Sequence, residues 1–203
     1  MRDIDIRHAL DALLRARHAG ETDTIIRHEV GICAGKGRID VVTINSEICG
    51  YEIKSDEDTL NRLEGQVETY GQVLDRAILV TTKRHIDTAV RKLPDWWGVK
   101  VANNKHGDIC LESIREPVLN GTYDPFSLAQ LLWREEALTE LRLIGKDQGL
   151  SKKARHYAWT ALADAVSLDD LRTIVRARLK VRPMWPGGQL HGSCDETPQM
   201  ITS

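Results

Sequence analysis

The stretch RIDVVTINSEICGYEIKS, residues 38–55, decides how the rest of the chain is read. Ile39, Val41, Val42 and Ile44 give its first half the β-branched character of a strand. Asn45-Ser46 interrupts as a tight turn, and EICGYEIKS (47–55) resumes in strand character. Asp40 stands inside the apolar first strand, where a carboxylate is costly unless a cation or hydrogen bonds satisfy it. Glu52 and Lys54 flank Ile53, and strand residues two apart share a face, roughly 7 Å apart along the chain. In a hairpin of these two strands Asp40 lies beside Glu52 across the ladder.

Outward from this hairpin, TIIRHEVGI (24–32) reads as a preceding strand, with Gly35 and Gly37 punctuating the gap. Before it, Ile6, Leu10, Leu13 and Leu14 recur at helical spacing from about Asp3 to His18, and Gly20 follows as a stop. After it, a helix capped by Ser55 or Asp58 is expected to run to about Leu74 on the stripe Leu60, Leu63, Val67 and Leu74. RAILVTT (76–82) is a continuous apolar run, as in a strand buried on both faces. A helix over 84–93 and strands at 99–103 and 108–114 follow. Beyond Pro125 only helices are expected, over 127–144, 152–166 and 168–179. The order predicts an α/β fold, a mixed β-sheet flanked by helices with a C-terminal helical appendage. The expected division is a core over 1–120, a helical region over 121–182 and a tail over 183–203. That tail is rich in Pro, Gly and Ser, the composition of a disordered segment.

The 203 residues are 41% hydrophobic and 29% charged, a globular composition, and no run approaches the roughly 18 apolar residues of a membrane helix. The start, MRDIDIRHAL, lacks an apolar signal core, so the expectation is a cytoplasmic protein with no membrane partner. Cys33, Cys49, Cys110 and Cys194 are too widely spaced for a zinc or redox pair. The net charge of −2 carries no nucleic-acid signature by itself, but it is unevenly spread. Residues 1–141 hold six more acids than bases and residues 142–182 six more bases than acids. The basic segment reads either as a nucleic-acid contact or as a solvated helix surface.

Two neighbouring carboxylates repel unless positive charge lies between them, and a hard dication such as Mg²⁺ suits oxygen ligands. With Lys54 beside them to orient water or stabilise charge, such a constellation hydrolyses a phosphodiester. On the next helix Arg62, Gln66 and Tyr70 fall at i, i+4 and i+8, one polar stripe. GRIDVV, YEIKS and QVETY together resemble the motifs of the PD-(D/E)XK nuclease superfamily, in the RecB-like and lambda-exonuclease-like branch with its Q-x-x-x-Y signature. The resemblance covers roughly residues 3–82, and YEIKSDEDTLNRL also looks like an uncharacterised bacterial family within that superfamily. It implies a restriction-endonuclease-like form of that mixed sheet and a Mg²⁺- or Mn²⁺-dependent deoxyribonuclease acting on DNA. Asp40, Glu52 and the Ile53 carbonyl would be ligands, Lys54 the catalytic lysine, and Gln66 and Tyr70 the accessory pair. Glu29 would add an upstream ligand, with Asp11 as a rival.

Smaller signals each carry two readings. Asp56, Glu57 and Asp58 complement a helix dipole or form a second metal position. Arg62 touches a phosphate or pairs with Asp58. Trp96-Trp97 is a packed cap rather than a base-stacking platform. His28 is structural rather than a ligand. Lys152, Lys153 and Arg155, with Arg172, Arg176, Arg178, Lys180 and Arg182, are positioned to track a DNA backbone. Three functions compete: a DNA nuclease of unstated oligomeric state, a catalytically silent nucleic-acid-binding module, and an interaction protein whose acidic strands are incidental.

Overall fold

The structure, a computed structural model, describes residues 1–182. Six strands form one sheet in sequential order. β1 (Ile25–Ile32), β2 (Gly37–Ile44) and β3 (Ile48–Lys54) are antiparallel neighbours. The β2–β3 turn is closed by Asn45, whose Oδ1 accepts from Glu47 N at 3.0 Å, the local bonding that suits Asn to turns. β4 (Arg76–Thr82) lies parallel to β3 after a crossover through α2 (Leu63–Gly71). β5 (Gly98–Lys105) is parallel to β4 after α3 (Ile86–Lys92), and β6 (Asp108–Arg115) returns antiparallel. The α/β expectation of a mixed sheet flanked by helices, with helices at the C-terminal side, holds.

Each face of the sheet has its own cover. α1 (Asp3–Arg17) lays Ile6, Leu10 and Leu14 on Val41, Tyr51, Ile53, Ile78 and Val80. The other face packs on α2 and α3. It also packs on the C-terminal helices α4 (Pro125–Ala129), α5 (Arg134–Leu143), α6 (Arg155–Ala165) and α7 (Leu168–Val181), in one continuous cluster from Val30 to Leu179. On that face Gly50 has no room for a side chain: a Cβ there would sit 2.4 Å from Leu74 Cδ1. Leu74 therefore closes against the strand beside Glu52 and Lys54. Among the described residues no helix is long and apolar enough to cross a membrane.

Two helices differ from expectation for local reasons. The helix expected from about Asp58 begins at Leu63, because Asp58 closes a turn instead: its Oδ2 accepts from Ser55 N at 2.7 Å and from Ser55 Oγ at 2.6 Å. The helix expected over 127–144 is two helices. Asp124 caps α4, and the chain turns at 130–133 so that Leu131 and Leu132 both enter the core. The tail over 183–203, with Cys194, lies outside the described residues.

Candidate functional site: a polar cleft beside a broken ladder

A cleft of about 560 Å³ opens where β2 and β3 meet α2, lined among others by Lys36, Asp40, Glu52, Lys54, Arg62 and Gln66. The cleft exists because two strands change phase together. Ile25 faces the α2 side, as alternation would also require of residue 29, yet Val30 and Ile32 face that side. Ile39 likewise faces the α2 side, while Val41 faces α1 and Val42 returns to the α2 side. The break falls on Glu29 and Asp40, which would be partners if the register from His28–Val41 to Val30–Ile39 ran through. Glu29 takes φ +53°, a conformation that costs a non-glycine residue about 1–3 kcal/mol and persists only when its surroundings over-determine it.

Glu52 is the centre of the floor. It is 2% exposed, and Lys54, Gln66 and Tyr70 contact it, while Asp40 lines the same cleft. Lys54 Nζ lies 2.5 Å from Glu52 Oε1, and Gln66 Nε2 donates to the same oxygen at 2.5 Å. The Tyr70 hydroxyl donates to Oε2 at 2.5 Å and stands 2.8 Å from the Arg38 carbonyl oxygen. Burial and the adjacent Glu52 charge push the Tyr70 hydroxyl far above its ordinary pKa, so it serves as a donor. Trp97, fully buried, stacks on Tyr70 at 5.7 Å, and Trp96 tilts against Trp97 at 5.6 Å. The tryptophan pair is thus a packed buttress for Tyr70.

Asp40 substitutes for a missing ladder bond. The β2–β3 register ends at Val41–Tyr51, and beyond it Ile53 N donates to Asp40 Oδ2 at 2.8 Å. Burial, reinforced by Glu52, pushes the Asp40 carboxyl up to about 7 despite that hydrogen bond and the attraction of Arg7 and Lys54. Arg7, from α1, is the residue the sequence reading passed over. Its NH1 donates to the Asp40 carbonyl oxygen at 3.2 Å and pairs with Glu29 Oε1 at 3.1 Å. Its NH2 lies 3.6 Å from Asp40 Oδ1. The signal was present in the spacing of Asp3, Arg7 and Asp11, a polar stripe at i, i+4 and i+8.

Whether these residues fit a dication is decided by their oxygens. Glu52 has both engaged by Lys54, Gln66 and Tyr70, and Asp40 is held by Ile53 N and Arg7. Glu29 divides its two between Arg7 and Arg38, the latter at 2.8 Å. A Mg²⁺ or Mn²⁺ ion needs oxygens free to close to roughly 2.1 Å, and here they already serve donors of the chain. Among the described residues no group of three His, Cys, Asp or Glu side chains is placed to hold a metal ion. The arrangement does not fit the expected ion.

The remaining expected residues separate. Ile53 contributes its N–H to Asp40, and its side chain is buried under α1. Asp11 faces His28, at 3.6 Å from its Nε2, a structural placement for both. Asp56 binds Thr82 and the Met1 amine, and Asp58 binds Ser55, so these two acids of the trio tie loops together. Arg62 stands exposed on the cleft rim with Lys36, its suggested partner Asp58 being engaged elsewhere. The basic residues of α7 and Arg182 after it are paired within the chain: Arg172 and Arg176 reach Asp75, Arg178 reaches Glu140, Lys180 reaches Asp23 and Arg182 reaches Glu136. Lys152, Lys153 and Arg155 remain exposed.

A family model described as bacteriophage P4 protein cII matches residues 5–184. Protein cII of Enterobacteria phage P4 is 22% identical over 161 residues, which cover 79% of this chain and 60% of that protein. The chain therefore spans about 60% of the length of that curated relative. These matches overturn the assignment to the PD-(D/E)XK superfamily, and with it the reading of the chain as a Mg²⁺-dependent deoxyribonuclease or any hydrolase. The spacing of Asp40, Glu52 and Lys54 brought the residues together, but the chain's own donors, rather than a nuclease's metal, account for it.

Proposed function

The chain belongs to the bacteriophage P4 protein cII family, and from that premise we propose that it is a DNA-binding protein that acts by occupying its target. One observation carries the reading: the start of α6 gathers cations where a helix ordinarily gathers acids. Lys152, Lys153, Arg155, His156 and Tyr157 are all exposed. α6 has Ala154 at its N-cap, no side-chain cap and no acid in its first turn. By contrast α1 has Asp3 and Asp5, α5 has Glu135 and Glu136, and α7 has Asp169 and Asp170 behind a Ser167 cap. The positive pole of a helix with cations around it is unfavourable by itself and favourable with a phosphate present.

Two further features support the same partner. Lys153 Nζ lies 4.9 Å from the Tyr157 ring centre and Arg155 lies 5.2 Å from that of Trp159, so the cations are held over aromatic faces. Arg134 pins the loop before α6 by donating to the carbonyl oxygens of Leu150, Ser151 and Lys153 at 3.2, 2.6 and 3.2 Å. A loop fixed in advance loses less freedom on binding.

The test is fluorescence anisotropy with labelled duplex and single-stranded DNA over a range of salt, on wild type and on the Lys152→Ala, Lys153→Ala, Arg155→Ala triple variant. Wild type should bind with an affinity that falls steeply with salt. The triple variant should bind more weakly, its log–log salt slope shallower by roughly 2 to 3. Equal slopes for the two proteins would remove α6 from the interface. No binding to either DNA form at low salt would remove the function.

A further inference from the structure

Two aromatic residues stand among the cations of α6, and the fold uses them in opposite ways. Trp159 is 5% exposed, its Nε1 donates to the Leu132 carbonyl oxygen at 3.0 Å, and Phe126 meets its ring edge-on at 6.5 Å. It belongs to the core. Tyr157, two positions earlier, is 48% exposed, and its hydroxyl has no hydrogen-bond partner among the described residues. Its ring meets that of exposed His156 at 4.2 Å between centres, with the planes 35° apart, and Lys153 Nζ lies over it at 4.9 Å. A single exposed ring is ordinary on a protein surface, but this pair has a charged setting. From 148 to 163 the chain carries Lys152, Lys153, Arg155 and His156 and no Asp or Glu. Neither lysine nor Arg155 has a carboxylate partner among the described residues. Cations alone suit the phosphates of any nucleic acid, whereas rings among them offer a surface to a flat partner. A duplex presents the edges of its bases in the grooves; a single strand presents their faces.

We propose that the His156–Tyr157 pair is a stacking platform for an unpaired base, with Lys152, Lys153 and Arg155 on the adjoining phosphates, so that the chain prefers single-stranded DNA to duplex. The inference rests on the DNA-binding reading of α6 and adds to it the form of the DNA and the side chain that selects it. Stacking uses the ring and not the hydroxyl, which agrees with a hydroxyl left without a partner in the chain. Selection is by the presence of a base and not by its identity, because every base has a flat face.

The test is fluorescence anisotropy at low salt with labelled probes of equal length: a single strand of thymidines, the same strand made abasic throughout, and a duplex. Wild type should bind the base-bearing strand roughly ten-fold more tightly than the abasic strand, and more tightly than the duplex. Tyr157→Leu keeps an apolar side chain and removes the ring. It should bring the affinity ratio of the two single strands to about one, while Tyr157→Phe should preserve that ratio. Tyr157 is exposed, so melting temperatures close to wild type should show both variants folded. Equal wild-type affinity for the abasic and base-bearing strands would overturn the platform while leaving phosphate binding at α6 in place. So would a ratio that survives Tyr157→Leu, or a duplex bound more tightly than the single strand. A wild type that binds none of the probes would remove DNA binding itself, and the platform with it.

Discussion

Two polar regions of this molecule have opposite relations to their own charges. At the cleft floor, Glu52, Asp40 and Glu29 are surrounded by donors of the chain: Lys54, Gln66, Tyr70, Arg7 and Arg38. At the start of α6, Lys152, Lys153 and Arg155 face water, and the helix pole behind them adds charge of the same sign. A charge satisfied internally holds the fold; a charge left facing solvent beside others of its sign is available to a partner. The residues with the more enzyme-like spacing are therefore the structural ones, and the plainer cluster is the one that reads outward.

The strongest way to break this contrast is to remove a donor from the floor. Lys54→Ala leaves Glu52 buried with fewer partners, and loss of one member of a buried pair costs about 3–5 kcal/mol. Urea unfolding measures it, and a cost below about 1 kcal/mol would show that the floor does not clamp the fold.

Next in size is the pH response of Asp40. Its carboxyl stands at about 7 in the folded chain and near 3.9 unfolded, so between roughly pH 4 and 7 the folded state binds the extra proton. Stability then falls as pH rises through that window and levels off above it. Asp40→Asn has no such proton to lose, so it should gain on wild type over the same range, by on the order of 4 kcal/mol. Parallel stability–pH curves for the two proteins would place the titration elsewhere.

A third substitution sharpens the other side of the comparison. Ala154→Asp supplies α6 with the side-chain cap it lacks and should stabilise the chain by about 1 kcal/mol. The same carboxylate opposes a phosphate, so affinity for DNA should drop as the melting temperature climbs. Improvement in both would separate α6 from the nucleic acid. Smallest of all, the triple alanine variant at 152, 153 and 155 should change stability by no more than about 0.5 kcal/mol, since these side chains are exposed.

Much of the fold was legible because period-2 and period-3.6 patterns survive in the sequence. Arg76–Thr82 is found at its expected bounds, and β1, β2 and β3 start and stop within a residue of theirs. The convergence of Glu52, Lys54, Gln66 and Tyr70 was legible for the same reason, since spacing fixes which side of a regular strand or helix each occupies. Asp58 misled, because a carboxylate closing a turn on Ser55 looks the same in sequence as one capping a helix. Arg7 was passed over because α1 was read for its apolar stripe, and two of its acidic partners lie 22 and 33 positions away. The meaning of the acid–lysine spacing was the largest error. A strand bearing Glu-x-Lys looks the same in a nuclease and in a member of the bacteriophage P4 protein cII family, and only the family match distinguishes the two.

The tie between α7 and Asp75 has a consequence in time. Asp75, 2% exposed, receives Ile48 N at 2.6 Å and Arg172 across 97 positions at 2.6 Å. A ribosome has delivered every strand of the sheet long before it reaches that arginine, yet the aspartate that anchors the β3 entry stays without its counter-charge until then. The anchor at the β3 entry therefore gains its Arg172 ion pair only after α4, α5 and α6 have been synthesised.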